Sequence, residues 1–138
     1  MKPVICLIFY PLTNHSRLKF PIKISDKSTI SIWGFSPEIY YYLDKIPSTQ
    51  DAITQYAMIP HRYQYYFKDR YLNELKSKMP DYFIDSTGSD SFVLNDSDKV
   101  GYQSFPELKE LIDKNYKLIS KIQMNARLRG ILIFKKQE

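Results

Sequence analysis

Between Thr29 and Pro47 the chain writes out a strand, a tight turn and a helix in direct succession. Thr29–Trp33 is β-branched and apolar, as strands are. Gly34 follows, and Ser36 then stands as a natural helix N-cap, with Pro37 at the first helical position, where a missing N–H costs nothing. Glu38 places a negative charge against the positive end of the helix dipole. Ile39, Tyr42, Leu43 and Ile46 fall at i, i+3, i+4 and i+7, and Pro47 stops the helix. A strand that turns straight into a helix is half of a βαβ unit, so the rest of the chain is read for its return strands.

Those returns are present. A helical pattern covers 65–78, with Tyr71, Leu72, Leu75 and Met79 at three- and four-residue spacing and Pro80 closing it. Asp81–Asp85 reads as a second strand and 86–102 as a polar loop. Phe105-Pro106 opens another helix, with Leu108, Leu111 and Ile112 inward and Asn115 as its C-terminal cap. Tyr116–Ile122 is a third strand, 125–130 a turn, and Ile131–Phe134 a last strand antiparallel to the third. Residues 52–58 suit a short strand or a helical turn equally. The expected fold is α/β: a small mixed sheet, mostly parallel, with helices packed on it and a C-terminal antiparallel hairpin. At 138 residues the chain suits one such domain, spanning 28–138, after an N-terminal apolar segment and linker at 1–27.

Composition narrows the function classes. One cysteine, Cys6, excludes a disulfide framework and a Cys-rich zinc site. Gly34 stands alone, so there is no glycine-rich phosphate loop. His15 and His61 lie far apart without a carboxylate at ligand spacing, and nothing in the pattern calls for a metal or a cofactor. The net charge of +5 resolves into +4 over 1–28, −4 over 29–115 and +5 over 116–138. No nucleic-acid module accompanies those basic ends, and the pattern suits termini near anionic headgroups. The apolar run 3–12 is too short to span a bilayer; it reads as a buried strand or as the stump of a membrane helix.

Two places carry a binding expectation. Ligands of open α/β sheets gather at the carboxyl ends of strands. The turn Trp33–Glu38 stands at such an end, with Trp33, Gly34, Ser36 and Glu38 as candidate contacts and the indole available for stacking on a sugar or lying against a headgroup. Asp85 and Ser86 end the second strand beside further hydroxyl residues, a set able to take a cation or a sugar hydroxyl. A packed core tryptophan and a solvated turn are the plainer alternatives.

The wording of these segments has a family likeness. "SIWGFSPEIYYYLDKIPST" (31–49) resembles the stretch just after the last membrane helix of many bacterial polytopic glycosyltransferases, where a strand leads to W-G-x-x-P-x-x-Y, a helix and a short P-(S/A)-T. "LNELKSKMPDYFIDS" (72–86) resembles their L-x-x-L-x-x-x-x-P-D-Y segment, "FPELKELIDKNYKLI" (105–119) their F-P-x-L-x-x-x-I-x-x-x-Y-x-L, and "GILIFKK" (130–136) their closing strand. The family is the C-type glycosyltransferase superfamily, in the branch of dolichyl-phosphate-mannose protein mannosyltransferases and lipid A aminoarabinose transferases. The resemblance covers roughly 28–136. It implies an extracytoplasmic C-terminal domain, soluble as given, that works with the membrane region of the same enzyme and, through it, with a polyprenyl-phosphate sugar and an acceptor. The family's catalytic acid lies between early membrane helices. This chain has none, so no residue here inherits that role. The competing expectation is a free-standing α/β module that binds a small ligand or a partner.

Overall fold

The computed structural model of the chain describes residues 20–89, 96–123, 127 and 129–138. The apolar run 3–12, Cys6 and His15 lie outside the described residues. Strand β1 (Ile30–Trp33) leads to helix α1 (Glu38–Leu43), then α2 (Gln55–Met58) and the long α3 (Gln64–Lys78). Strand β2 (Tyr82–Asp85) follows, then a short α4 (Ser97–Val100), a 3₁₀ turn at Tyr102–Ser104, helix α5 (Pro106–Asn115), and strands β3 (Tyr116–Ile122) and β4 (Ile131–Lys136). The expected loop at 86–102 thus contains α4 and the start of the 3₁₀ turn, and within 52–58 residues 55–58 are helical.

The sheet has four strands in the order β1-β2-β4-β3. β1 and β2 pair in parallel, whereas β4 pairs antiparallel with both β2 and β3. The α/β fold, the mixed sheet and the C-terminal hairpin are as expected, but "mostly parallel" is corrected: one of the three pairings is parallel. The cause is visible in the strands. Ile131, Ile133 and Phe134 of β4 are buried, on both faces of the strand, so β4 needs a central slot. β3 carries Lys117 and Lys121, with Leu118 and Ile119 exposed. Such a strand belongs at an edge, where lysines also deter pairing with other chains. The hairpin therefore turns back and inserts β4 beside β2, leaving β3 outside.

Period-two alternation divides the core between the two faces. Trp33, Phe83 and Phe134 face α2, α3 and α5, where Met58, Leu72, Leu75, Leu108 and Ile112 close over them. Ile30, Ile32, Tyr82, Ile84, Ile131 and Ile133 face Ile39 and Tyr40 of α1 together with Phe20, Ile22 and Ile24. The outer edge of β1 is covered by its own chain: Pro47 bridges Ile30, and the Ser48 N–H donates to the Ile30 carbonyl at 3.0 Å. α1 ends at Leu43, before the expected Ile46, because Asp44 turns left-handed (φ 51°) and its N–H caps the Tyr40 and Tyr41 carbonyls. Ile46 is consequently exposed instead of completing the apolar stripe.

Candidate functional site

The carboxyl ends of β1 and β2 do come together, and what they form is closed. The Trp33 ring is buried, packed on Tyr71 (5.2 Å between centroids) and Phe105 (6.2 Å), and its Nε1–H donates to the Val100 carbonyl at 2.8 Å. An indole so placed serves the core and offers no face for stacking. Gly34 takes φ +139°, and a Cβ there would overlap the Ser86 hydroxyl, so the turns after β1 and β2 touch only because this residue has no side chain. Thr54 locks the turn further. Its Oγ1 accepts from the Gly34 N–H at 2.7 Å, and its own N–H donates to the Gly34 carbonyl at 3.0 Å. The Ser86 N–H extends the parallel ladder by donating to Trp33 O at 2.9 Å. Ser36 is fully buried, and its hydroxyl makes no hydrogen bond, so the expected side-chain cap is not formed. Its carbonyl instead accepts from the Ile39 N–H at 3.2 Å, which starts the first turn of α1. Glu38 is buried in that turn.

Asp85 is completely buried and multiply bonded. Oδ1 accepts from the Thr87 N–H at 2.9 Å and from its hydroxyl at 2.5 Å, an Asx-type turn, while Oδ2 accepts from the Tyr102 N–H at 2.8 Å. Arg129 brings the countercharge, with Nη2 at 2.8 Å from Oδ1, and also reaches Thr87 Oγ1 and Gln103 Oε1. The Gly130 N–H bonds to Gly88 O at 2.9 Å, so the segment before β4 closes over the loop after β2. One carboxylate thereby ties β2, the 3₁₀ turn and the start of β4. The chain itself supplies donors to both oxygens of this buried carboxylate, three groups to Oδ1 and the Tyr102 N–H to Oδ2.

The buried tyrosines under this region are hydrogen-bonding struts. The Tyr71 hydroxyl bonds Ser31 Oγ at 2.8 Å, and the Tyr40 oxygen accepts from the Ile32 N–H at 2.9 Å. Burial pushes the Tyr40 pKa up to about 12 and that of Tyr71 well above its ordinary value. Both stay protonated at neutral pH and have no role as acids or bases there.

An open groove lies elsewhere among the described residues. A groove of about 530 Å³ is lined by Gln55, Tyr56, Ile59, His61, Tyr63 and Phe67, over α2 and the start of α3. Tyr56 stacks on Phe67 (5.2 Å, 29°), and His61 sits edge-on to Tyr56 (5.9 Å). The Tyr63 N–H donates to His61 Nδ1, so the imidazole proton is on Nε2 and is donated to the Tyr56 carbonyl at 2.7 Å. The Gln64 amide donates to the carbonyls of Ala57 and Met58. Arg62 lies over the Tyr63 ring at 4.5 Å and Lys68 over Tyr65 at 5.9 Å. Tyr56, Tyr63, Tyr65 and Tyr66 are each more than half exposed.

Of the residues expected from sequence, the fold brings Trp33, Gly34, Ser36, Ser86 and Asp85 to one end of the sheet, but buried. The groove residues and Arg129 were not anticipated. A signal for the groove was available: five Tyr or Phe residues and two cations occur between Asp51 and Asp69 with no acidic residue among them. Arg129 had none, because it meets Asp85 from far along the chain. Among the described residues no group of three or more His, Cys, Asp or Glu side chains is placed to hold a metal ion, and no helix is long and apolar enough to cross a membrane. Comparison with protein-family models, with curated proteins and with solved structures gives no match.

Proposed function

We propose that this chain is the extracytoplasmic accessory domain of a membrane glycosyltransferase that uses a polyprenyl-phosphate-linked sugar. In this role it covers the active site or seats the acceptor and supplies no catalytic acid. The observation that supports the reading is how the four segments of family likeness meet. Trp33 of the first packs on Phe105 of the third. Tyr116 of the third donates its hydroxyl to the Pro80 carbonyl of the second at 2.8 Å. Phe134 of the closing strand lies 5.9 Å from Phe83 of the second. The residues that make the wording resemble the family are those that join these segments into one sheet and core. A family resemblance carried by fold-determining contacts is a stronger guide to kinship than one carried by scattered surface positions. The buried sheet end agrees with an accessory role, since the Asp85 carboxylate and the Thr54, Ser86 and Thr87 hydroxyls are hydrogen-bonded within the fold.

The test is a sugar-transfer assay on membranes. The reading frame flanking this coding sequence is expressed with and without the chain and supplied with a polyprenyl-phosphate sugar. We expect that frame to encode several apolar segments of about 20 residues, transfer to drop when the chain is left out, and the chain alone to transfer nothing. Turnover by the isolated chain, or flanking DNA that encodes no membrane span, overturns the proposal and leaves the free-standing binding module.

A further inference from the structure

We infer that the outer edge of β3 is the docking site of an acidic, extended segment of a partner protein, which adds to the sheet as a further strand. β3 is a terminal strand of the sheet, paired only with β4 among the described residues. One row of its backbone N–H and C=O groups therefore has no strand to meet. Leu118 is 48% and Ile119 40% exposed beside that row. The charge along it is of one sign. Lys117, Lys121 and, on β4, Lys135 are exposed, and none of them forms an ion pair among the described residues. The carboxylates of neighbouring elements do not answer them: Asp113 pairs with Lys109, Asp81 with Lys136, and Glu107, Glu110 and Glu138 with none of the three. Lys117 stands directly opposite Lys135, a cross-strand pairing of like charges that weakens the hairpin. Lysines that only guard an edge against pairing need no further lysine across the ladder and no exposed aliphatic side chains between them. A carboxylate from outside would relieve the repulsion between Lys117 and Lys135. The register also says how the acidic groups must be arranged. Lys117 and Lys121 face Lys135 and Leu132 of β4, which are an odd number of residues apart because the ladder shifts between Leu118 and Ser120. Side chains alternate between faces along a strand, so the two lysines point to opposite faces of the sheet. The occupant therefore carries Glu or Asp on both of its faces, as an acidic run does and an amphipathic strand does not. A second copy of β3 would set lysine against lysine, and a nucleic acid or a bilayer would use the lysines without the backbone edge.

This inference goes beyond the glycosyltransferase reading and does not rest on it. The experiment is fluorescence anisotropy of the full chain with a labelled peptide as long as β3, mixed from Glu and Val. Binding is expected, and it should weaken with salt. Replacing each Glu by Gln should lower the affinity about tenfold. The Glu peptide with backbone N-methyl groups keeps its charge but loses its ladder donors, and should bind no better than the Gln form. The double variant Lys117→Glu/Lys121→Glu should bind the Glu peptide about tenfold more weakly. It should instead take a peptide with Lys in place of Glu, a rescue that a misfolded variant cannot give. Lys135→Glu turns the like-charge pair into an attractive one, so it should raise Tm while weakening the Glu peptide. A control, Lys76→Glu/Lys78→Glu at the exposed end of α3, changes charge elsewhere and should bind as the parent does. Any of five results overturns the inference: no binding of the Glu peptide, undiminished binding of its N-methylated form, equal loss in the α3 control, tighter binding of an oligothymidylate of equal charge, or a parent dimer that Lys117→Glu/Lys121→Glu dissolves.

Discussion

The sealed end of the sheet and the open groove hold similar residue types, hydroxyls, aromatics and cations, yet use them in opposite ways. At the sheet end Asp85, Arg129 and Thr87 bond one another, and Thr54 and Ser86 bond the backbone of Gly34 and Trp33. In the groove the backbone takes the imidazole and amide, while the rings of Tyr56 and Tyr63 are left facing solvent. The lesson is that polar residues at a strand's carboxyl end do not by themselves make a binding site. Their hydrogen-bonding capacity must remain unspent and reachable; here that of Asp85, Thr54, Ser86 and Thr87 goes to joining β1, β2 and β4, and the unbonded Ser36 hydroxyl is buried.

The contrast can be broken by stability measurements, taken from the largest expected effect downward. Asp85→Ala should be the most damaging. It strands the guanidinium of Arg129, which is largely buried, and removes the acceptor from the Thr87 and Tyr102 N–H groups. Loss of one partner of a buried pair costs about 3–5 kcal/mol, on the order of 15 °C in Tm at this chain length. An Asp85→Ala protein that melts with the parent would show that the sheet end is not sealed by this carboxylate, and would return it to candidacy as a ligand site. Gly34→Ala comes next, at about 2–3 kcal/mol, because the new methyl enters the Ser86 hydroxyl and the residue must hold a positive φ. Denaturant midpoints read this directly, and an unchanged midpoint would mean that the two turns can part cheaply. Tyr65→Ser should lie at the bottom, within about 0.5 kcal/mol. A large loss of stability there would place the tyrosine in the core and remove the distinction between the two regions.

Much of the element order was legible because local rules govern it. The strand at Tyr116–Ile122 coincides with its expected limits, and α3 and β2 depart from theirs by one residue. Pro106 opens α5 and Met79-Pro80 closes α3, as proline chemistry dictates. What local rules cannot supply is pairing. Whether a hairpin stays outside a sheet or folds back into it depends on how each strand balances burial on its two faces, and that balance shows only when β3 and β4 compete for one position. The candidate site divides in the same way. The meeting of Gly34 with Ser86 follows from the parallel pairing of β1 with β2. The neutralisation of Asp85 by Arg129 requires the third dimension. The exposure of 56–67 is not legible in the sequence, because an aromatic cluster suits a core as well as a surface, and only the fold shows that α3 turns Tyr71, Leu72 and Leu75 inward while leaving Tyr63, Tyr65 and Tyr66 outside.

The place of β4 has a consequence for how the molecule is made. It follows β1, β2 and β3 along the chain and yet fills an inner position, flanked by β2 and β3. While a ribosome still holds residues 131–136, β2 has one side unpaired and both apolar faces of the sheet are incomplete. The α2–α3 pair can form early from local contacts, but the sheet must wait for its final strand. During that wait the Ile- and Phe-bearing strands β1 and β2 are open to chaperones or to wrong partners.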